Sequence, residues 1–478
     1  MKSAEFFRDL HDFTYVNVFL MYIEQLYTNC LAEAAYYIES DGEAAIIDPL
    51  RETDPYIELA KSRHATIKYV FETHFHADFV SGHIDLSRKV NAPIVYGPNA
   101  ETQYKVYNAK DGEAFALGRL KIRVLHTPGH TPESSCFLLL DENDTPKAVF
   151  TGDTLFVGDV GRPDLLDGIM SREELAGMLY ESLNSKIKTL PDDVIVYPAH
   201  GPGSACGKNI GKETFSTIGE QKKFNYALQD MTRDEFIFKV TDGILPPPQY
   251  FFEDARINKN GYSPLEHIIK QNTKGLSVDA FKDAVSKGAT VLDTRKADDY
   301  EKGFIPGSIN IGLNGQFAVW VGTLIDIRKP LVLVTEAGKE EESVLRLARV
   351  GYENVIGFLE GNVTAWKEPL GKVKSITAEE MKNEMSKGIE VLDVRKPGEW
   401  NVSHVKGATF LPLADFPAIL KELDKTKRYI VHCGGGYRSM TAISIMLNHG
   451  FTNLLNVYGG FGAMQKAGLP LVSEAVEA

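Results

Sequence analysis

Four short polar clusters, each lying directly after an apolar run, constrain this chain more than any other feature. Ile67 to Phe71 leads into Thr73-His74-Phe75-His76-Ala77-Asp78-Phe79, and Ile122 to Leu125 into Thr127-Pro128-Gly129-His130. Ala148 to Phe150 leads into Thr151-Gly152-Asp153, and Val194 to Val196 into Tyr197-Pro198-Ala199-His200. Short apolar runs read as strands, and His or Asp at strand ends can ligate metal. Residues this far apart in sequence meet only if their strands share one sheet edge. The pattern therefore calls for a sheet sandwich with ligands on loops along one rim. Upstream, Ala34 to Ile38 and Ala44 to Ile47 flank Asp41-Gly42, as the arms of a hairpin do.

A His-x-His-x-Asp-His run is the usual opening of a two-metal site. Here the last position is Phe79, which coordinates nothing, so a single metal is expected. His74, His130 and Asp153 form a two-His, one-carboxylate set, the arrangement that holds non-haem Fe(II) and leaves positions open. The same donors accept zinc. His76, Asp78 and His200 are then candidates to orient those ligands or bound water, or to serve as extra ligands. His64, His83 and His126 read as structural.

At 478 residues the chain suits two or three domains. A net charge of -13 argues against nucleic acid or anionic membrane as the main partner. The first residues lack a basic region and a small-residue cleavage site, so no secretory leader is expected. No apolar run approaches the roughly 18 residues of a membrane span. The four cysteines, Cys30, Cys136, Cys206 and Cys433, are too scattered for a disulfide framework, which points to a cytoplasmic protein. Cys30 and Cys136 read as core. Cys206 reads equally as a packed thiol or as a thiol facing the His200 pocket, with Lys208 favouring its thiolate.

The second half contains an internal repeat. Val291-Leu292-Asp293-Thr294-Arg295-Lys296 recurs as Val391-Leu392-Asp393-Val394-Arg395-Lys396, and Gly351-Tyr352-Glu353-Asn354 as Gly450-Phe451-Thr452-Asn453. Strand, loop and helix alternate through both copies, as in α/β domains with parallel sheets. In the second copy, His432-Cys433-Gly434-Gly435-Gly436-Tyr437-Arg438-Ser439 joins a strand to a helix. Successive glycines turn backbone N–H groups inward, and the helix N-terminus adds positive potential, so Cys433 is a candidate nucleophile. Arg438 would close this cradle or hold an oxyanion, with Gly434, Gly435, Gly436 and Tyr437 lining it. The first copy reads Val334-Thr335-Glu336-Ala337-Gly338-Lys339-Glu340 at the same place, acidic and without cysteine.

Residues 20 to about 240 resemble the persulfide dioxygenase branch of the metallo-β-lactamase superfamily. The matching stretches are His74 to His83, Thr127 to Ser134, and Gly152 to Asp164. The resemblance implies an αββα sandwich, one Fe(II) per chain held by His74, His130 and Asp153, and Arg162 near a thiol substrate. That family often keeps a His where this chain has Phe79. The region around Cys433, with Leu392 to Arg395, Glu399-Trp400 and His404 to Ala408, resembles a rhodanese. Its Cys-to-Arg loop of six residues matches sulfurtransferases.

The organisation these resemblances imply is a dioxygenase domain at 1–245, a linker at 246–275, an inactive rhodanese-like domain at 276–372 and an active one at 373–478. The activity implied is oxygen-dependent oxidation of a low-molecular-weight thiol persulfide to sulfite and thiol. It would be coupled to transfer of sulfane sulfur to or from thiosulfate through Cys433. Two alternatives stand beside it: a thioester hydrolase of glyoxalase II type with an accessory rhodanese, and a sulfane-sulfur carrier or sensor. A homo-oligomer is compatible with either half.

Overall fold

The structure, a computed structural model, describes residues 21–166 and 169–473. The leader reading rests on residues 1–20 and lies outside the described residues. None of the described helices is long and apolar enough to cross a membrane.

The first sheet has six strands in chain order: β1 (Tyr22–Thr28), β2 (Glu33–Ser40), β3 (Glu43–Ile47), β4 (Thr66–Phe71), β5 (Ile94–Tyr96) and β6 (Tyr107–Asn108). The expected hairpin is β2–β3, turned at Asp41 and Gly42 with φ of 49° and 77°. Positive φ at both central residues matches the right-handed strand twist. The second sheet contains β7 (Ala114–Leu117), β8 (Leu120–His126), β9 (Ser135–Leu140), β10 (Pro146–Gly152), β11 (Ile195–Pro198) and β12 (Ser216–Thr217), also in chain order.

Side chains on alternate positions go to opposite faces, and here both faces are covered. Tyr36, Ile38, Ile47 and Phe71 meet Ile122, Val124, Phe137 and Phe150 between the sheets. On one outer face Tyr37 and Ile46 pack on Tyr56 and Leu86 of helices 54–62 and 83–90. On the other, Leu138 and Val196 pack on Leu179 and Phe236 of helices 172–182 and 233–241. Burial on both faces explains why these strands read as continuous apolar runs. The result is the αββα sandwich.

The stretch expected as a linker is itself folded. Helices Phe251–Asn260 and Leu265–Asn272 occupy it, and Tyr250 and Phe251 are buried in a core shared with Phe317, Trp320 and Val321 of the first repeat.

Each repeat forms a parallel five-stranded sheet. The first contains β13 (Gly275–Leu276), β14 (Thr290–Asp293), β15 (Ile309–Asn310), β16 (Leu331–Val334) and β17 (Val355–Leu359), in the order β13-β17-β16-β14-β15. The second contains β18 (Lys374–Ile376), β19 (Glu390–Asp393), β21 (Thr409–Phe410), β22 (Tyr429–His432) and β23 (Leu454–Val457), in the order β18-β23-β22-β19-β21. A small ribbon pairs β20 (His404–Val405) with β24 (Leu471–Val472). The orders match strand for strand. In both copies the repeated Asp-x-Arg forms a buried fork: Arg295 pairs with Asp293 and Arg395 with Asp393, each at 2.6 Å.

Candidate functional site

Sheet register assembles the ligand segments. Pairing of β10 with β11 sets Phe150 opposite Tyr197 and Gly152 opposite Pro198, so Asp153 and His200 leave the sheet beside each other. Across the sandwich, Ser135 N–H donates to Thr73 O at 2.9 Å and ties the His74 segment to the second sheet. Two glycines are required by close approach. Gly152, at φ +51°, would put a Cβ 2.6 Å from the Thr73 side chain. A Cβ on Gly161 would lie 2.0 Å from Asp153 O.

His74, His130 and Asp153 are buried, and each offers one atom within 4.8 Å of the others. His130 Nε2 lies 3.4 Å and His74 Nε2 3.9 Å from Asp153 Oδ2. Their remaining contacts decide which nitrogens face the centre. His130 Nδ1 is 2.8 Å from Arg162 O. A carbonyl only accepts, so Nδ1 carries the proton and Nε2 presents its lone pair. His74 Nδ1 is 2.9 Å from Thr73 Oγ1, whose own proton goes to Asp48 Oδ2 at 2.8 Å. His74 Nε2 is thereby left as the free donor. Asp153 Oδ1 accepts from His200 Nδ1 at 2.7 Å, which leaves Oδ2. Among the described residues, His130 Nε2 and Asp153 Oδ2 have no hydrogen-bond partner. Two buried imidazole lone pairs converging on one carboxylate oxygen fit a divalent cation.

The charges agree. Burial, then His76, pushes His74 well below the usual histidine value. Burial would raise Asp153, but His200 and His74 outweigh it and hold this carboxylate below its ordinary range. Burial likewise opposes charge on His200, yet Asp153 and Asp78 raise it well above the ordinary value.

The second centre lies where β22 meets helix Tyr437–Asn448. Gly436 N–H donates to Cys433 Sγ at 3.1 Å, and Ser439 Oγ lies 3.6 Å from the sulfur. Arg438 binds Glu399 with both terminal nitrogens, at 2.5 and 2.8 Å, and sits 3.3 Å from where a Cβ of Gly434 would be. In the first repeat, pairing of Asp293 with Val334 matches that of Asp393 with His432, so Thr335 stands where Cys433 does. Thr335 is fully buried, and its hydroxyl has no partner among the described residues.

Residues 28–200 match the model of the metallo-β-lactamase superfamily, and residues 277–369 and 377–467 each match the rhodanese-like domain. The human mitochondrial persulfide dioxygenase ETHE1 is 32% identical over 210 residues, covering 43% of this chain and 74% of that one. A probable hydroxyacylglutathione hydrolase, glo2 of Schizosaccharomyces pombe, is 30% identical, covering 40% and 80%. A crystal structure of a metallo-β-lactamase from Staphylococcus aureus superposes with a TM-score of 0.63 at 32% identity, covering 71% and 98%.

The chain belongs to the metallo-β-lactamase superfamily. Its two rhodanese-like domains follow that fold, an architecture consistent with a persulfide dioxygenase–rhodanese fusion. The metallo-β-lactamase domain places several expected residues differently from the sequence reading. Lys208 does not approach Cys206; its Nζ caps helix 233–241 through the carbonyls of Lys239 and Asp242. Burial, with Asp78 and Asp153, pushes the Cys206 thiol well above its ordinary value, so Lys208 supplies no thiolate there. Cys206 does face the pocket, its sulfur grouped with Asp78 and His200. The Arg162 guanidinium is taken up by Asp164 and by the carbonyls of Ala205 and Leu245. Its backbone carbonyl, rather than its charge, meets the candidate metal donor His130.

Among the described residues His76 makes no hydrogen bond to a candidate donor, but its ring packs on that of His74 at 4.2 Å between centroids. Its Nε2 lies 3.1 Å from Asp48 Oδ1, and its ring packs on Phe79 at 4.4 Å. Cys136 is buried as expected, whereas Cys30 is only half-buried, 3.4 Å from Arg349 Nη1. In the second rhodanese-like domain the Tyr437 side chain leaves the cradle. Its hydroxyl donates to Gly312 O at 2.8 Å, and a Cβ on Gly315 would lie 2.6 Å from its ring.

Three supporting residues were missed in the sequence. Asp48 holds Thr73 through both N–H and hydroxyl. It follows an apolar run (Ala44 to Ile47), the same signal that marked the ligands. Thr73 stands next to His74. Asn258 left no signal: from the connecting helix it donates to His76 O at 2.7 Å and Phe79 O at 2.8 Å and accepts from Ser81 N–H at 2.9 Å.

Proposed function

We propose that this protein oxidises a low-molecular-weight thiol persulfide with oxygen and exchanges sulfane sulfur with sulfite and thiosulfate. The observation that carries the reading is the pairing of a two-His, one-carboxylate centre, with Phe79 in place of a second-metal ligand, and a glycine-cradled cysteine in the same chain. The working units are bounded at 1–245, 246–275, 276–372 and 373–478, and the compartment is a reducing cytoplasm in which all four thiols stay free.

One Fe(II) would be held by His74, His130 and Asp153, supplying oxygen activation and a Lewis acid for the terminal sulfur; zinc would substitute only as an inactive filler. The chain's own groups set the conditions. Asp48, Thr73, Arg162 O and His200 fix the ligand tautomers and ring orientations. Leu31, Phe79 and Phe156 wall the neighbourhood with apolar surface and limit water. The overall conversion takes persulfide, oxygen and water to sulfite and the parent thiol.

In the rhodanese domain the Cys433 thiolate attacks the outer sulfur of thiosulfate. The S–S bond breaks, sulfite leaves with the bonding pair, and Cys433 becomes a persulfide that an acceptor thiol or sulfite can discharge. The Gly436 N–H already points at the sulfur and stabilises its charge. Joining the two centres raises the concentration of one site's product at the other.

The likeness to a hydroxyacylglutathione hydrolase supports a second reading, thioester hydrolysis by metal-activated water. Oxygen uptake on adding a thiol persulfide separates the two, with iron measured in anaerobically purified protein. Stoichiometric uptake with sulfite release supports the dioxygenase. Turnover of a glutathione thioester without oxygen uptake supports the hydrolase and defeats the main proposal.

A further inference from the structure

The hydrogen-bond partners of Cys433 lead out of its own domain. Cys433 Sγ lies 3.6 Å from Ser439 Oγ, which donates to Asn456 Oδ1 at 2.8 Å. Asn456 Nδ2 donates to Ser375 Oγ at 3.0 Å, a contact set by the pairing of β18 with β23, in which these two residues stand opposite each other. Ser375 in turn donates to Glu301 Oε2, and the other oxygen of that carboxylate accepts from the Tyr458 hydroxyl. Glu301 belongs to the first repeat, directly after helix 297–300, and its backbone carbonyl holds Val373 N–H at 3.1 Å. Cys433, Ser439, Asn456 and Glu301 are all buried.

The chain of bonds has a direction, and Glu301 sets it. A carboxylate only accepts, so Ser375 gives it the hydroxyl proton and keeps lone pairs for Asn456. The Asn456 amide must then turn its NH2 to Ser375 and its carbonyl to Ser439. Ser439 spends its single proton on that carbonyl, with Gly436 O at 3.1 Å as the other acceptor in reach. A lone pair of Ser439 is left facing the sulfur. This suits a thiol, which donates to it, and opposes a thiolate, which has nothing to donate. The Gly436 N–H, which points at Sγ from 3.1 Å, is left to meet the sulfur's charge without help from Ser439.

We propose that Glu301 of the first repeat is a positioning residue for Cys433, acting through Ser375, Asn456 and Ser439 to keep the Ser439 proton away from the sulfur. The inference rests on the carrier role proposed for Cys433 and gives the repeat without a cysteine a part in it. When thiosulfate loads Cys433, the new S–S bond forms as the old one breaks and sulfite leaves with the bonding pair. The negative charge passes from Sγ to the outer sulfur, and Sγ becomes a neutral member of the persulfide. The facing lone pair opposes the charged thiolate before this step and not the neutral Sγ after it. Glu301 thus weights the cycle toward the sulfur-loaded state.

Glu301→Gln is nearly isosteric, and its amide can donate to Ser375. The whole chain of bonds can then reverse, and Ser439 can donate to the anionic sulfur, the stronger acceptor. The test follows iodoacetamide alkylation of Cys433 in the full-length protein across pH, with the modified peptide identified by mass spectrometry. Arg438 with its partner Glu399, and His432 beside Asp393, stand around the sulfur in parent and variant alike, so their part in the profile cancels. The midpoint should fall by about one pH unit, which is ~10-fold in rate on the acidic limb. Ser375→Ala, which frees the Asn456 amide, should shift it the same way. In a Ser439→Ala background both shifts should vanish, an outcome that mere loosening between the repeats does not produce. The proposal is overturned if folded Glu301→Gln and Ser375→Ala proteins keep the parent profile, or if the shift persists without Ser439. Alkylation needs no sulfur donor, so failure of the carrier reading in sulfur-transfer assays leaves this test intact.

Discussion

Asp153 divides its carboxylate between two histidines. Oδ1 accepts from His200 Nδ1 at 2.7 Å, while Oδ2 stands 3.4 Å from His130 Nε2. One oxygen is fixed so that the other is aimed. His200→Ala should therefore keep the fold but release this aim, lowering metal affinity ~10- to 100-fold, the usual effect of removing a partner behind a ligand. Iron retained against a graded chelator measures it; unchanged retention would show that Asp153 is positioned by the backbone alone.

His130→Ala should abolish oxygen uptake, because it deletes a proposed metal donor. Thiosulfate:cyanide sulfur transfer should stay near the parent rate, since Cys433 follows a strand of a different sheet. Loss of both activities in a folded variant would mean that one site serves both reactions.

For Cys433→Ser the pattern reverses. The hydroxyl preserves the loop but holds no sulfane sulfur, and Thr335 offers no substitute in the first repeat. Oxygen uptake should persist with sulfite accumulating instead of thiosulfate. Thiosulfate formed at the parent rate would move the carrier role to another thiol or to free solution.

Asn258→Ala removes three buried hydrogen bonds to the segment that bears His74 and Asp78. Each exposed partner costs about 1–3 kcal/mol, so thermal unfolding should shift down by several degrees. Iron content should fall with it. A variant as stable as the parent that keeps its iron would show that the helix merely rests on the metal domain.

The clustering of His74, His130 and Asp153 was legible because they obey a local rule, a polar residue at the end of an apolar strand, and the strands carry that rule to one rim. The repeat was equally legible, since Val391 to Lys396 copies Val291 to Lys296 almost letter for letter. What escaped was contact between units. Asn258 and Arg51 are ordinary polar residues in sequence, yet Arg51 is buried, binding Glu353 at 2.5 Å and Ala348 O at 3.2 Å from the far side of the chain. The destination of Lys208 escaped within a single domain: its carbonyl partners, on Lys239 and Asp242, lie 31 and 34 residues away in sequence and come within reach only after folding. Tyr437 sits inside a recognisable loop, and only the neighbouring repeat tells its ring which way to turn.

That last contact bears on how the gene can be cut. A rhodanese half expressed alone would carry Tyr437 with neither the Gly312 carbonyl nor the flat seat of Gly315 beneath it, at the very residue that begins the helix behind Cys433. Its measured turnover would then describe a loosened fragment and underestimate the intact enzyme. The copy without a cysteine acts as a mould, and dissection experiments need to keep the mould with the casting.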